Sequence, residues 1–293
     1  TSDANSAIKS RSELINYTQC YTGGTGDFGS IYFSQYAAMI AVASKKFEVP
    51  ESLVTCMILR ESGMDKNSDS PQKVRIPQRA RNGRITYRIT NESQSGLGQF
   101  MNAAMRFVSD VIQTPPLFAP PTLLSGAPVS QQGRFQTSLI APADREKAYT
   151  DSQTLRGELS GGWQTYFKAI GKPAPRQFGR RESFDPASAI GATALYARYV
   201  ASMLEENGTP PLHLTNDSVS EDALETSLTV AAGYNMGPFG AAKTIAAAGA
   251  KTPSQVRAAV ESRTRNHLES IRNCMKKHST APPHGSNQKT CPL

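Results

Sequence analysis

The chain has 293 residues, with 38% hydrophobic and 19% charged residues, a net charge of +8 and a pI near 9.3. Its length allows one large domain or two ordinary ones, and a mean hydropathy of −0.42 with no long apolar run argues against a membrane-spanning segment. The positive charge favours anionic partners such as nucleic acid, acidic lipid or a polyanionic cell wall.

The N-terminus, "TSDANSAIKSRSE", is polar and has no apolar signal core. The first helical pattern, "IYFSQYAAMIAVASKKF", places Tyr36, Ile40 and Ala43 on one face. It ends in lysines, as the negative end of a helix dipole favours. A second helix follows in "VPESLVTCMILRESG", with Pro50 at its start and Gly63 just beyond its end. Val54, Met57, Ile58 and Glu61 recur at i, i+3, i+4 and i+7. Glu61 therefore continues the apolar stripe instead of pointing away from it. An unpaired carboxylate avoids such surroundings, or its pKa rises in them.

Next comes "KVRIPQRARNGRITYRIT", with Asn82-Gly83 between two short runs, a hairpin signal. Ile85, Tyr87 and Ile89 alternate with Thr86, Arg88 and Thr90, as in a strand with one covered face; Pro77 makes its partner an edge strand. From Met64 to Gln94 seven basic residues (Lys66, Lys73, Arg75, Arg79, Arg81, Arg84, Arg88) face three acidic ones (Asp65, Asp69, Glu92), so half the net charge of +8 sits here. Such a run is most often a solvated face; functionally it can attract a polyanion.

Residues 111–184 contain the Pro-rich "TPPLFAPPTLLSGAP" and the single tryptophan, Trp163, in a short helical stretch. They read as an insertion. Trp163 and Tyr87 read as core side chains before they read as sugar platforms. Helical order resumes at Asp185-Pro186, an N-cap followed by a first-turn proline, with Ile190, Ala194, Ala197, Ala201 and Leu204 in one stripe. Leu224, Leu228 and Ala231 share a face of the next helix, which ends at a Gly/Pro turn. "TPSQVRAAVE" opens with a capping box at Thr252 and Gln255. The last helix aligns His267, Leu268, Ile271, Cys274 and Met275.

The four cysteines are Cys20, Cys56, Cys274 and Cys291. None has metal-ligand spacing, and none of the histidines does either, so no metal and no cofactor are expected. Two disulfides are possible in three connectivities. A disulfide would tie down the polar tail that carries Cys291. This usage favours an exported protein; the alternative is reduced thiols, with Cys56 and Cys274 filling core.

Three stretches stand out: "RESG" at 60–63, "SGLGQF" at 95–100 and "AAGYNMGP" at 231–238. In this order they resemble the soluble lytic transglycosylase and goose-type lysozyme family. That family has an acidic residue followed by Ser at a helix end, then a GLMQ-like turn, then an AYNAGP-like turn. "ESRTRNHLESI" at 261–271 is similar to its closing helix, and "DPASAIGATALYARYV" at 185–200 to its penultimate core helix. The resemblance covers about residues 31–110 and 185–275, leaving 111–184 as an insertion and 276–293 as a tail of one domain spanning 1–293.

The resemblance implies a mostly α, lysozyme-like α+β fold: a helical bundle with one small β-hairpin lobe flanking a substrate cleft. It implies a monomer that cleaves the β-1,4 bond between N-acetylmuramic acid and N-acetylglucosamine in peptidoglycan. Glu61 matches the catalytic acid. Gln99 matches the residue that holds the sugar beside it. Tyr234 and Asn235 match the pair that closes the cleft, with the Tyr hydroxyl able to hydrogen-bond the acid. Ser62 and Ser95 are further substrate contacts. The chemistry suits these residues, because a glycosidic oxygen leaves badly unless a carboxylic acid protonates it.

Two outcomes of the reaction are open. In a transglycosylase one Glu serves as acid and then as base, and the muramyl 6-hydroxyl attacks to give a 1,6-anhydro end. In a goose-type lysozyme a second acidic residue holds a water, and Glu92 is the residue placed to resemble it. The basic hairpin favours the transglycosylase. Other readings are an inactive peptidoglycan-binding relative and a nucleic-acid-binding protein; the latter lacks the basic-aromatic interleaving of RNA modules. Three departures from the family pattern stand out: Gly98 where Met is usual, which predicts a more open turn, Gly233 where Ala is usual, and His267 where Tyr is usual.

Overall fold

The computed structural model describes residues 27–63, 66–79, 85–116, 145–206, 214, 221–250 and 252–280. The described chain is mostly helical, with one two-stranded antiparallel ribbon. In chain order the elements are α1 (Asp27–Phe47), α2 (Glu51–Ser62), β1 (Asp69–Arg79), β2 (Ile85–Ser95), α3 (Asn102–Ile112), α4 (Arg145–Ala169), α5 (Arg180–Ser183), α6 (Pro186–Glu206), α7 (Glu221–Met236), α8 (Pro238–Ala248) and α9 (Pro253–Thr280). No helix among the described residues is long and apolar enough to cross a membrane.

Helix α6 is the hub of the bundle. It packs against α1, α2, α3, α4, α5, α7 and α8. Its sequence is rich in alanine with few charges, and it is buried around its whole circumference, from Ala187 to Leu204. A helix without a polar face belongs inside. Small side chains such as Ala189, Ala192, Ala194 and Ala197, all fully buried, let its neighbours approach from every side. Its start is set by Asp185, whose Oδ2 accepts from Ser188 N at 2.9 Å and from Ser188 Oγ at 2.7 Å, as the N-cap pattern predicts.

Residues 145–184 do not stand apart from this core. Leu155, Leu159, Trp163, Tyr166 and Phe167 on α4 are all buried. Trp163 is fully enclosed and donates Nε1–H to Pro175 O at 3.3 Å, so it is a core residue. The short helical stretch expected around Trp163 is a helix of 25 residues, and the Gly161-Gly162 pair lies within it. A side chain at Gly162 would come within 2.9 Å of the Phe47 ring, so the glycine lets α4 close on α1.

The hairpin pairs Asp69 with Ser95 through to Arg79 with Ile85, with Pro77 opposite Tyr87. The Asn82-Gly83 turn lies outside the described residues. The covered face expected from the alternation is not present at Ile89, which is 62% exposed. A two-stranded ribbon brings no second layer of its own, and none of the helices covers that position.

Helix α9 joins two predicted helices across a kink at Thr264 (φ −129°, ψ 17°). Its start has the predicted capping box: Thr252 N donates to Gln255 Oε1 at 3.2 Å, and Gln255 N donates to Thr252 Oγ1 at 3.3 Å. Beyond the kink His267, Leu268, Ile271, Cys274 and Met275 face the core. Cys56 and Cys274 form a disulfide linking α2 to α9. Cys20 and Cys291 lie outside the described residues.

Candidate active site

Helix α2 is enclosed through its middle, where Thr55 and Cys56 are buried together with the apolar Leu53, Val54, Met57 and Ile58. Burial of these apolar side chains contributes about 6–12 kcal/mol before chain entropy is subtracted. In the turn that follows, Arg60 is exposed while Glu61, one turn after Met57 and Ile58, faces the interior. Gly63 ends the helix in the left-handed region (φ 61°), with its N–H donating to Leu59 O at 2.9 Å. Glu61 thus stands in the last turn with its side chain 12% exposed.

That burial pushes the Glu61 carboxyl up from 4.5 to about 7, and the neighbouring Arg60 guanidinium offsets only part of the rise. The physical cause is desolvation of the charged form. Glu61 therefore keeps its proton through mildly acidic pH and divides between acid and carboxylate near pH 7.

The second part of the site is the turn after β2. Ser95 and Phe100 exchange backbone hydrogen bonds (3.2 and 3.0 Å), Gln99 N donates to Gly96 O at 3.2 Å, and Gly96 N donates to Ser68 O at 3.0 Å. Gly96 has φ 74°, and a side chain there would lie 1.6 Å from Ser183 O, so only glycine fits. Gly98 has no space either: a Cβ would meet the Phe100 ring at 2.4 Å and Thr193 Oγ1 at 2.6 Å. The turn is accordingly filled, not more open as Gly98 led us to expect.

Gln99 has φ 47° and is 5% exposed. Its Nε2 donates to Ser68 O at 3.1 Å and Gly96 O at 2.9 Å. Its amide donor is engaged in holding the turn against the start of β1, while the residue still lines the cleft.

Tyr234 and Asn235 come from the last turn of α7, not from a loop beyond it. Gly237 (φ 78°) and Pro238 then start α8. The Tyr234 hydroxyl donates to Gly98 O at 2.8 Å. That is the correction to the expected bond with Glu61: the hydroxyl braces the turn. The ring packs edge-on against Phe100 and Tyr196 at centroid distances of 6.2 and 5.3 Å. Burial and the negative charge available to Glu61 hold the phenol well above its ordinary pKa, so it remains a donor.

Glu61, Gln99, Tyr234 and Asn235 all line one cleft of about 190 Å³. Gln94, Met101 and Tyr196 line it too. Among the described residues Glu61 is its only acidic side chain. Ser62 and Ser95 do not line it. Ser62 Oγ donates to Ile58 O at 3.0 Å within its own helix. Ser95 is fully buried and its hydroxyl meets Ser183 Oγ at 2.7 Å, tying the turn to α5. Glu92 stands opposite Gln72 in the ribbon, and its side chain lies outside what the structure describes.

His267 was not among the predicted site residues, yet its Nε2 lies 3.6 Å from Glu61 Oε1. The similarity of residues 261–271 to a closing helix was the available signal. Burial, and then the Arg60 charge, push the imidazole down from 6.5 to about 4. Between these values the site holds a neutral acid beside a neutral imidazole. Tyr196 also escaped the sequence reading, because nothing in the periodicity of α6 separates a cleft-lining residue from a core one.

Among the described residues no group of three His, Cys, Asp or Glu side chains is placed to hold a metal ion. What the arrangement can do is deliver one proton from a dry carboxyl group into a cleft walled by aromatic and amide side chains. No family model matches the chain, and no curated protein or solved structure matches it.

Proposed function

We propose that this protein is a lysozyme-like muramidase of the lytic transglycosylase type, acting on the bond between N-acetylmuramic acid and N-acetylglucosamine in peptidoglycan. The observation that carries the reading is Glu61, the only acidic side chain of the cleft among the described residues, whose burial raises its pKa to about 7. Gln99, Tyr234 and Asn235, which line the cleft with it, come from the other two stretches that resemble the family.

In this mechanism Glu61 gives its proton to the glycosidic oxygen, and the bond from that oxygen to muramyl C1 breaks. The substrate's acetamido group supports the positive charge at C1. Glu61, now a carboxylate, takes the proton of the muramyl 6-hydroxyl as that oxygen bonds to C1. The products are a free N-acetylglucosamine 4-hydroxyl and a 1,6-anhydro end; the proton returns to Glu61 and no water is consumed. One carboxyl is sufficient for this route, whereas glycosidases that use water generally need two.

The Cys56–Cys274 disulfide supports export to an oxidising compartment such as the periplasm or the exterior. The net charge of +8 supports attraction to an anionic wall. The test is mass spectrometry of muropeptides after digestion of purified walls. Anhydro-muramyl ends are expected. Reducing ends would mean hydrolysis and would turn attention to Glu92. Absence of cleavage with both acetylated and deacetylated walls would overturn the enzymatic reading.

A further inference from the structure

Helix α9 brings one titratable side chain to Glu61 from behind the cleft. His267 Nε2 is 3.6 Å from Glu61 Oε1 and meets no hydrogen-bond partner, although the side chain is only 10% exposed. A buried imidazole nitrogen without a partner costs about 1–3 kcal/mol, so its position invites a function. His267 does not line the cleft, so any effect it has on the reaction passes through Glu61.

The placement is built. Cys274 follows His267 by two helical turns, Cys56 precedes Glu61 on α2, and the disulfide between them sets how α2 and α9 slide along each other. Among the described residues the charged and titratable groups around the pair are few. Arg60 acts on both from α2, and Tyr234 faces Glu61 from α7. Arg257 and Arg272, the other cations of α9 with a partner on α7, are taken up by Glu225.

We infer that His267 is a positioning residue for Glu61: as the neutral Nε2–H tautomer it donates to Oε1 when Glu61 becomes a carboxylate, leaving Oε2 to deliver and recover the proton. The inference rests on the reading of Glu61 as the acid of the cleft. At 3.6 Å the bond is not yet made; hydrogen bonds of this kind are often long at rest and tighten as charge develops. The protonated acid has little use for the donor, whereas the carboxylate gains from it, so the interaction strengthens as the glycosidic oxygen takes the proton. That is the direction that lowers a barrier without tightening substrate binding.

The test uses the full chain with His267→Phe and His267→Gln. Phe keeps the bulk and removes the donor; Gln keeps an N–H donor. In H267F we expect kcat on soluble glycan strands to fall about tenfold and the alkaline limb of the pH profile to move up by about one pH unit. KM should be unchanged. H267Q should recover kcat to within about threefold of wild type, as a replacement donor should. An unmoved alkaline limb in H267F, or an H267Q variant as impaired as H267F, overturns the inference.

Should H267F fail to fold, ¹⁵N NMR of the wild-type imidazole decides instead. The Nε2 resonance should shift with the Glu61 titration near pH 7, and Glu61→Gln should abolish that inflection. A resonance blind to Glu61 overturns the inference. This readout does not depend on wall cleavage, so an inactive but NMR-coupled protein would refute the muramidase reading and leave the His267–Glu61 coupling standing.

Discussion

Cys56 of α2 is joined to Cys274 of α9 across 218 residues of chain. Both side chains are buried, and a short distance along the same helix pair Glu61 faces His267. Since Cys56 leads to Glu61 while Cys274 leads back to His267, the two helices run antiparallel. One covalent link thus holds the segment bearing the candidate acid against the segment bearing its neighbour.

Closing so long a loop restricts the unfolded chain strongly. Replacing both cysteines by alanine should cost about 3–5 kcal/mol, read as a lower urea midpoint. In wild type, a reductant added to the unfolded chain should lower the refolded stability by the same amount. A double variant as stable as wild type would mean that packing of α2 on α9 suffices without the bond.

Glu61→Gln keeps the shape of the side chain and removes the proton donor. Wall clearance should fall by about 10²–10⁴-fold, the usual worth of general acid catalysis, while far-UV circular dichroism stays the same. Residual activity within a few-fold of wild type would remove Glu61 from the reaction.

The same two residues give stability a characteristic pH dependence. Between pH 4.5 and about 7 the folded chain keeps a proton on Glu61 that the unfolded chain has released, so stability falls as pH rises. Between about 4 and 6.5 the unfolded chain carries a proton on His267 that the folded chain lacks, so stability rises with pH. The two slopes oppose each other from pH 4.5 to 6.5, and wild type should be nearly flat there. Glu61→Gln should gain stability on going from pH 4 to 6.5, and His267→Phe should lose it from pH 4.5 to 7. Each span is about 3 kcal/mol, at roughly 1.4 kcal/mol per pH unit. Urea midpoints at half-unit steps would show it, and parallel curves for the two variants would contradict it.

Tyr234→Phe removes the donor to Gly98 O and keeps the ring packed edge-on against Phe100 and Tyr196. A carbonyl left unsatisfied in that position should cost about 1–3 kcal/mol. Activity should fall with stability, because the loosened turn carries Gln99 and lines the cleft. A variant with wild-type melting but lost activity would point instead to direct contact between the hydroxyl and substrate.

Two glycines separate strain from collision. Gly63→Ala meets no atom within 4 Å and should cost only the left-handed backbone penalty, about 1–2 kcal/mol. Gly96→Ala has a similar φ but drives its methyl into Ser183 O, and should exceed about 4 kcal/mol, in the range of severe core defects. Similar melting temperatures for the two would show that α5 can move away from the turn.

Local rules in the sequence carried a good part of this protein. The apolar spacing of Val54, Met57 and Ile58 with the stop at Gly63 determined that Glu61 points inward, since a 3.6-residue period and a left-handed cap leave no other phase. Asp185 and Thr252 marked helix starts because their side chains bond to N–H groups three residues on. Alternation and Asn-Gly placed two strands in the right segment. What only the tertiary structure decided concerns partners distant in sequence. It set Tyr234 against Gly98 O, turned the Gln99 amide onto backbone carbonyls, and filled the space at Gly98 with Phe100 and Thr193. It also put His267 beside Glu61, which no spacing could announce. Periodicity reports which side of a helix is buried, but the side chain met there depends on how separate helices pack, here around α6 and across the Cys56–Cys274 bond.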